Sequence, residues 1–332
     1  MVNKQTLLQA LEAIPARRVL VLGDVLLDEY LIGQARRLSR EAPIPILEFE
    51  ERRTLPGGAA NPAMVVAALE ARATMVGLIG ADDAGRELVA ALRAANVDAS
   101  GIVTNPARQT TQKTRIVSQG SLRFPQQLAR LDRLDRRPPA PDDEAALIEK
   151  MTIAAPLMDA FVVSDYRLGM LAKPLVQTAL DLSARHGFLL VVDSQGELDK
   201  YRGFDVIRAN RPDTARFLGR PLETEANFEA ATAELLARLQ ARAVVISRGA
   251  DGVSLRGHNT PYTHYPAANR SEVFDVTGAG DASTATLALG ISAGLNLAEA
   301  AGLANYAGGL VVRRLGNATP SREELRWAIE HW

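Results

Sequence analysis

Along most of the chain, short continuous apolar runs alternate with longer stretches in which apolar residues recur every three or four positions. The runs at 18–23 (RVLVLG), 74–80 (TMVGLIG), 159–164 (DAFVVS), 188–193 (FLLVVD), 206–209 (VIRA) and 243–247 (AVVIS) predict strands buried on both faces. Between and after them, 58–69, 84–95, 173–185, 228–240, 278–293, 297–313 and 323–329 predict helices. An amphipathic helix at the start carries Leu7, Leu8, Leu11 and Ile14 on one side. Strand–helix alternation of this kind predicts an α/β fold, a mostly parallel sheet with helices on both faces.

Two regions depart from that rhythm. Residues 44–50 (IPILEFE), and 110–118 with 127–132, alternate apolar and polar with period two, which predicts strands with one wet face. No helix separates them from their neighbours. They are expected to form a small sheet inserted in two pieces, about 30–52 and 108–133, into a single domain spanning 1–332. Such a sheet must cover a ligand or a partner subunit. The run 136–143 (RRPPAPDD) is a polar connector back to the core.

The apolar fraction of 47% and charged fraction of 23% exclude disorder. A net charge of −1 gives no basic excess for nucleic acid. With no cysteine, a disulfide, a thiolate zinc site and a cysteine nucleophile are excluded. The four histidines have no metal-binding spacing. No apolar run is long enough for a bilayer, and the amino-terminal residues lack a signal-peptide pattern. We expect a cytoplasmic chain with no membrane or nucleic-acid partner. Lysine occurs only at 4, 113, 150, 173 and 200, which draws attention to Lys113.

The strongest chemical signal is 275–281 (DVTGAGD), after a strand-like 272–274 and before a small-residue helix. Glycines there leave backbone N–H groups unobstructed, and the helix N-terminus adds positive potential, so Gly278, Ala279 and Gly280 would form an anion hole. Asp281, in the first helical turn, would repel a phosphate as a ligand and suits a general base that takes a hydroxyl proton. The loop is not a Walker A motif. Nor is it a dinucleotide fingerprint, because Ser283 holds the third glycine position.

DVTGAGD resembles the carboxy-terminal signature of the ribokinase-like (PfkB-type) carbohydrate kinases, and 55–61 (LPGGAAN) resembles their amino-terminal one. Residues 23–28 (GDVLLD) are similar to the family's first strand and sugar-binding aspartate, and the likeness spans about 17–330. It implies a ribokinase-like three-layer sandwich with a small β-sheet lid, ATP with Mg²⁺ as donor, and a homodimer through the lid. Asp28, Gly57, Gly58, Asn61 and Asp165 would hold a sugar. Ser247, Gly249, Gly252 and Asn305 would hold the nucleotide, with Asn210 and Asp213 ordering magnesium-bound water. Asp275 would join carbonyls of loop 313–318 around a K⁺ ion, unless Arg313 or Arg314 pairs with it instead.

Within the family, 38–47 (LSREAPIPIL), 126–132 (QQLARLD) and 164–166 (SDY) are most similar to kinases of D-glycero-β-D-manno-heptose 7-phosphate. That implies phosphorylation of the anomeric O1 to the 1,7-bisphosphate, for ADP-heptose and lipopolysaccharide core synthesis. Lys113 and Arg130 would hold the 7-phosphate, with Arg115 and Arg123 nearby. Three positions depart from the resemblance: Asp213 replaces a glutamate, and Leu168 and Gln195 replace lysines. Arg167 would substitute for the first lysine, whereas Gln195 brings no charge. The alternatives are another ribokinase-like sugar or nucleoside kinase, or a silent sugar-binding relative. No HxGH motif occurs, so a nucleotidyltransferase half is not expected.

Overall fold

The computed structural model describes residues 3–119, 126–269, 273, 275–314 and 316–332. In chain order its strands are β1 (Arg18–Gly23), β2 (Val25–Leu38), β3 (Pro45–Gly58), β4 (Arg72–Gly80), β5 (Asp98–Asn105), β6 (Gln112–Ser118), β7 (Gln126–Arg133), β8 (Ala160–Asp165), β9 (Leu189–Ser194), β10 (Val206–Asn210), β11 (Ala243–Ser247), β12 (Val253–Gly257) and β13 (Thr260–Tyr265). Nine of them make one sheet in the order β13-β12-β11-β10-β9-β8-β1-β4-β5. It is parallel from β5 to β11 and closes with an antiparallel hairpin, β12–β13.

Successive residues of β1 feed opposite cores. Val19 and Val21 pack with Leu7, Ala60, Leu287 and Leu303, while Leu20 and Leu22 pack with Leu147, Phe161, Leu175 and Phe228. Helices Ala60–Ala68, Ala279–Ser292 and Leu297–Val311 thus cover one face, and Pro141–Ala154, Lys173–His186 and Glu225–Arg238 the other. This is the ribokinase-like three-layer sandwich.

The remaining strands form a separate sheet, β3-β2-β6-β7. β2 pairs antiparallel with β3 and parallel with β6, and β6 pairs antiparallel with β7. Its strands reach further inward than 30–52. β2 begins at Val25 directly after β1, and its first six residues are buried. Buried on both sides there, VLLDEY shows no period-two pattern, which is why the pattern marks only the outer part. The polar connector ends earlier than expected, since a helix starts at Pro141 in its favoured N-terminal place. The expected strand at 272–274 falls outside the described residues except for Val273, and Arg123 also lies outside them.

Candidate active site

The parallel strands β1, β8, β9, β10 and β11 end at Gly23, Asp165, Ser194, Asn210 and Ser247, and open α/β sheets gather ligands at such ends. Asp281 arrives there on the first turn of helix Ala279–Ser292. Gly278 precedes it at φ 80°, a conformation that favours glycine, and a Cβ there would lie 2.8 Å from Asn61 Nδ2.

Asp281 is buried, and its carboxylate is held by two neighbours. Asn61 Nδ2 donates to Oδ2 at 2.8 Å, and the Tyr166 hydroxyl donates to both oxygens at 2.8 and 3.0 Å. Burial pushes the Asp281 carboxyl up to about 7, and the charge of Asp193 pushes the same way. The Asn61 and Tyr166 hydrogen bonds and the Arg208 charge oppose the rise. A carboxylate with a pKa near the working pH is suited to accept a proton.

A cleft of about 760 Å³ runs from Asp281 and Gly278–Gly280 past Arg208 and Asn210 to Ser247, Gly252 and Asn305. That volume falls in the range of small-molecule sites. Gly252, at φ 92°, turns where a Cβ would meet the Tyr265 carbonyl. Asn305 donates to the Pro266 carbonyl and accepts from Ala268 N–H, so it ties the cleft wall together.

On the other side of Asp281, Asp28 pairs with Arg115 and accepts from Asn317 Nδ2 at 2.6 Å. A Cβ on Gly57 would collide with Asp28 Oδ2, so that glycine brings backbone close to the carboxylate, while Gly58, at φ 58°, turns against the Asp24 carbonyl. Lys113 projects over the Tyr166 ring, 5.4 Å from its centroid.

A model of the pfkB family of carbohydrate kinases matches residues 16–324. The chain belongs to that family. It is therefore a phosphotransferase with an alcohol group as acceptor. It is 41% identical over 94% of its length to the bifunctional protein HldE of Caulobacter vibrioides, and 39% identical over 94% to that of Pseudomonas aeruginosa. In each case it spans 63% of the relative's length. Arabidopsis thaliana ribokinase complexed with ribose and ATP has a similar fold, with a TM-score of 0.75 and 19% identity over 95% of this chain and 99% of that one. Escherichia coli phosphofructokinase-2 in complex with potassium matches with a TM-score of 0.77 and 19% identity over 95% and 98%.

In this pfkB kinase, most residues singled out from the sequence converge on Asp281 or the cleft, with some departures. Asp165 lines the cleft, but its carboxylate is already engaged. Its carboxylate accepts from Ser194 Oγ, the Tyr201 hydroxyl, Lys200 Nζ and Arg167 N–H, so it braces the strand ends. Arg167 does not replace a lysine in the cleft, because its half-exposed side chain pairs with Glu197. Leu168 is buried and brings no charge. Arg130 is exposed and doubly bonded to Asp132. Asn210 caps helix Arg211–Leu218 and binds Asp213, which also pairs with Arg216 at 2.6 Å. Asn61 fixes the base, and its Oδ1 is buried without a partner. Arg314 pairs with Glu324, and the Arg313 guanidinium lies 5.6 Å from the Trp332 ring centroid.

Sequence reasoning passed over Tyr166, Asn317, Arg208 and Asp24. Asp24 accepts backbone N–H bonds from Tyr166, Leu168 and Met170, which fixes the turn that aims Tyr166 at Asp281. Burial raises the Asp24 carboxyl to about 6 despite those bonds. The signal for Asp24 and Arg208 was available: each is a charge set in or beside an otherwise apolar strand run. No described helix is long and apolar enough to cross a membrane.

Proposed function

We propose that this kinase transfers the γ-phosphoryl group of ATP to the anomeric O1 of D-glycero-β-D-manno-heptose 7-phosphate, giving the 1,7-bisphosphate, a cytoplasmic step toward lipopolysaccharide core heptose. Lys113 carries the reading. Burial pushes its ammonium down from the usual lysine range, and no salt bridge to it occurs among the described residues. A half-buried ammonium with no salt bridge, drawn only by the more distant charges of Asp28 and Asp132, has room for an anionic ligand. It lies over the ring whose hydroxyl holds Asp281, so one substrate reaches it with its phosphate while its other end meets the base. Arg130 adds charge nearby.

The sugar hydroxyls bond Asp28 and backbone beside Gly57 and Gly58. O1–H donates to Asp281 and attacks the γ-phosphorus. The P–O1 bond forms as the bond to the β-bridging oxygen breaks, the proton passes to Asp281, and ADP leaves. Backbone N–H groups of Gly278 and Gly280 meet the charge on the transferring group, while that of Ala279 donates to the Val276 carbonyl and closes the turn.

Among the described residues no cluster of three or more histidine or carboxylate side chains could hold an ion. That suits magnesium carried on the ATP phosphates, since Mg²⁺ keeps its waters and takes few protein ligands. Asp213, through water, is the carboxylate that would order it. The ion supplies charge neutralisation between the phosphates. Asp275 fits a monovalent cation such as K⁺ as one charged oxygen ligand beside backbone carbonyls. Its carboxylate accepts from Thr277 N–H and Oγ and from Gly316 N–H, drawing two loops to one point.

A panel of sugar phosphates scored by ADP release, with NMR of the product anomer, tests the assignment. Heptose 7-phosphate should be the preferred acceptor. A preference for unphosphorylated sugar overturns the assignment in favour of a plain sugar kinase.

A further inference from the structure

We propose that Arg208 contacts the γ-phosphoryl group during transfer and supplies the charge that Gln195 does not. Arg208 interrupts an apolar strand, β10, and is 6% exposed. Among the described residues its side chain bonds to Asp193 alone, and the guanidinium lines the cleft. Asp193 is itself fixed by the Thr284 hydroxyl at 3.0 Å. An arginine fork serves a carboxylate on one edge and a phosphate on the other.

The glycine turn passes beside this guanidinium. A Cβ on Gly280 would lie 3.3 and 3.4 Å from its two terminal nitrogens, so the cation sits directly against the first turn of the helix that carries the anion hole. The other arginines lining the cleft are directed elsewhere: Arg248 pairs with Glu225 at 2.7 Å, and Arg211 lies 4.0 Å from Asp251. Gln195 also lines the cleft and is neutral, and Leu168 is buried and neutral. Arg208 is therefore the cation placed where the phosphoryl group passes from the β-bridging oxygen to the sugar oxygen, whose proton goes to Asp281.

The inference rests on the reading of this chain as an ATP-dependent kinase, and not on which sugar it takes. The test compares Arg208→Gln with the wild type by calorimetry using ADP and the non-hydrolysable ATP analogue AMP-PNP, each with magnesium. ADP affinity should stay within about threefold, while AMP-PNP weakens about tenfold or more, as expected for loss of one charge-assisted contact. With whichever sugar phosphate the wild type turns over, kcat should fall about 10²–10³-fold. Adding Gln195→Lys to Arg208→Gln should recover at least tenfold. Because Arg208→Gln leaves Asp193 unpaired, the double variant Arg208→Gln/Asp193→Asn provides a folded backup, with the same split between ADP and AMP-PNP expected. Equal weakening of both nucleotides, no weakening of either, or no recovery with the relocated lysine overturns the proposal. Failure of heptose 7-phosphate as acceptor would sink the substrate assignment and leave these binding results unaffected.

Discussion

Asp281 carries a conflict that experiment can read out. Its burial raises the carboxyl to about 7, so the proton-accepting form is depleted below neutrality. kcat/KM should therefore rise with pH and level off above about 7. Asp281→Asn should lower kcat by about 10²–10⁴-fold with ATP binding nearly intact. A variant that keeps most of its turnover would reduce Asp281 to a helix cap. The same substitution has a stability signature. A carboxyl whose folded pKa lies above its unfolded value of about 3.9 favours folding most at low pH, and that contribution is lost as pH rises to about 7. Asp281→Asn should accordingly gain in Tm relative to the wild type between pH 5 and pH 8, and thermal melts across that range check it. At Lys113, replacement by Ala should raise KM for heptose 7-phosphate about one to two orders of magnitude and leave KM for ATP alone. Equal damage with unphosphorylated heptose would remove Lys113 from the phosphate end.

At the scale of elements, the parallel strands were legible because strands buried on both faces are written as apolar runs, as in RVLVLG and FLLVVD. The inner half of β2, and β5 with its mixed pattern DASGIVTN, were not, because neither run nor alternation is clean there. The anion-hole turn and Asp281 were legible because their chemistry is local in sequence. The clamp on Asp281 was not: Asn61 and Tyr166 lie 220 and 115 residues away, and only the sheet order brings them together. The bracing of Asp165 was hidden for the same reason, since Tyr201 and Lys200, which engage it, enter from a later segment. The turn itself offers a test. Asp275 anchors both 277 and 316, and K⁺ bound there would stiffen the anion hole. Activity should rise when a bulky organic cation is replaced by K⁺. Equal rates in the two salts would mean that Asp275 works through its hydrogen bonds alone.

Across the whole molecule, the small sheet leaves Leu38, Phe49 and Leu131 exposed, with Phe49 at 69%. Its own core is a cluster of Tyr30, Ile32, Val117 and Leu55. A four-stranded sheet this wet needs cover, and we propose that a second copy of the chain provides it, in the homodimer through the lid that the family resemblance implies. Light scattering at micromolar concentration should report a dimer, and Phe49→Glu should shift it toward monomer. A strictly monomeric wild type with full activity would refute this.

The sparse use of lysine has a consequence for chemical reactivity. Amines are acylated only as the free base, so an ammonium pushed down by burial holds more reactive form at mild pH than its exposed counterparts. Of five lysines, Lys200 is paired with Asp165 and Lys4 bonds the Glu330 carbonyl, while Lys113 is depressed and has no salt bridge among the described residues. A small acylating reagent used at substoichiometric dose near pH 8 should mark Lys113 ahead of Lys150 and Lys173, as peptide mass mapping would record. Bound sugar phosphate should shield it and bound ATP should not, which makes a covalent tag into a footprint of the acceptor end of the site.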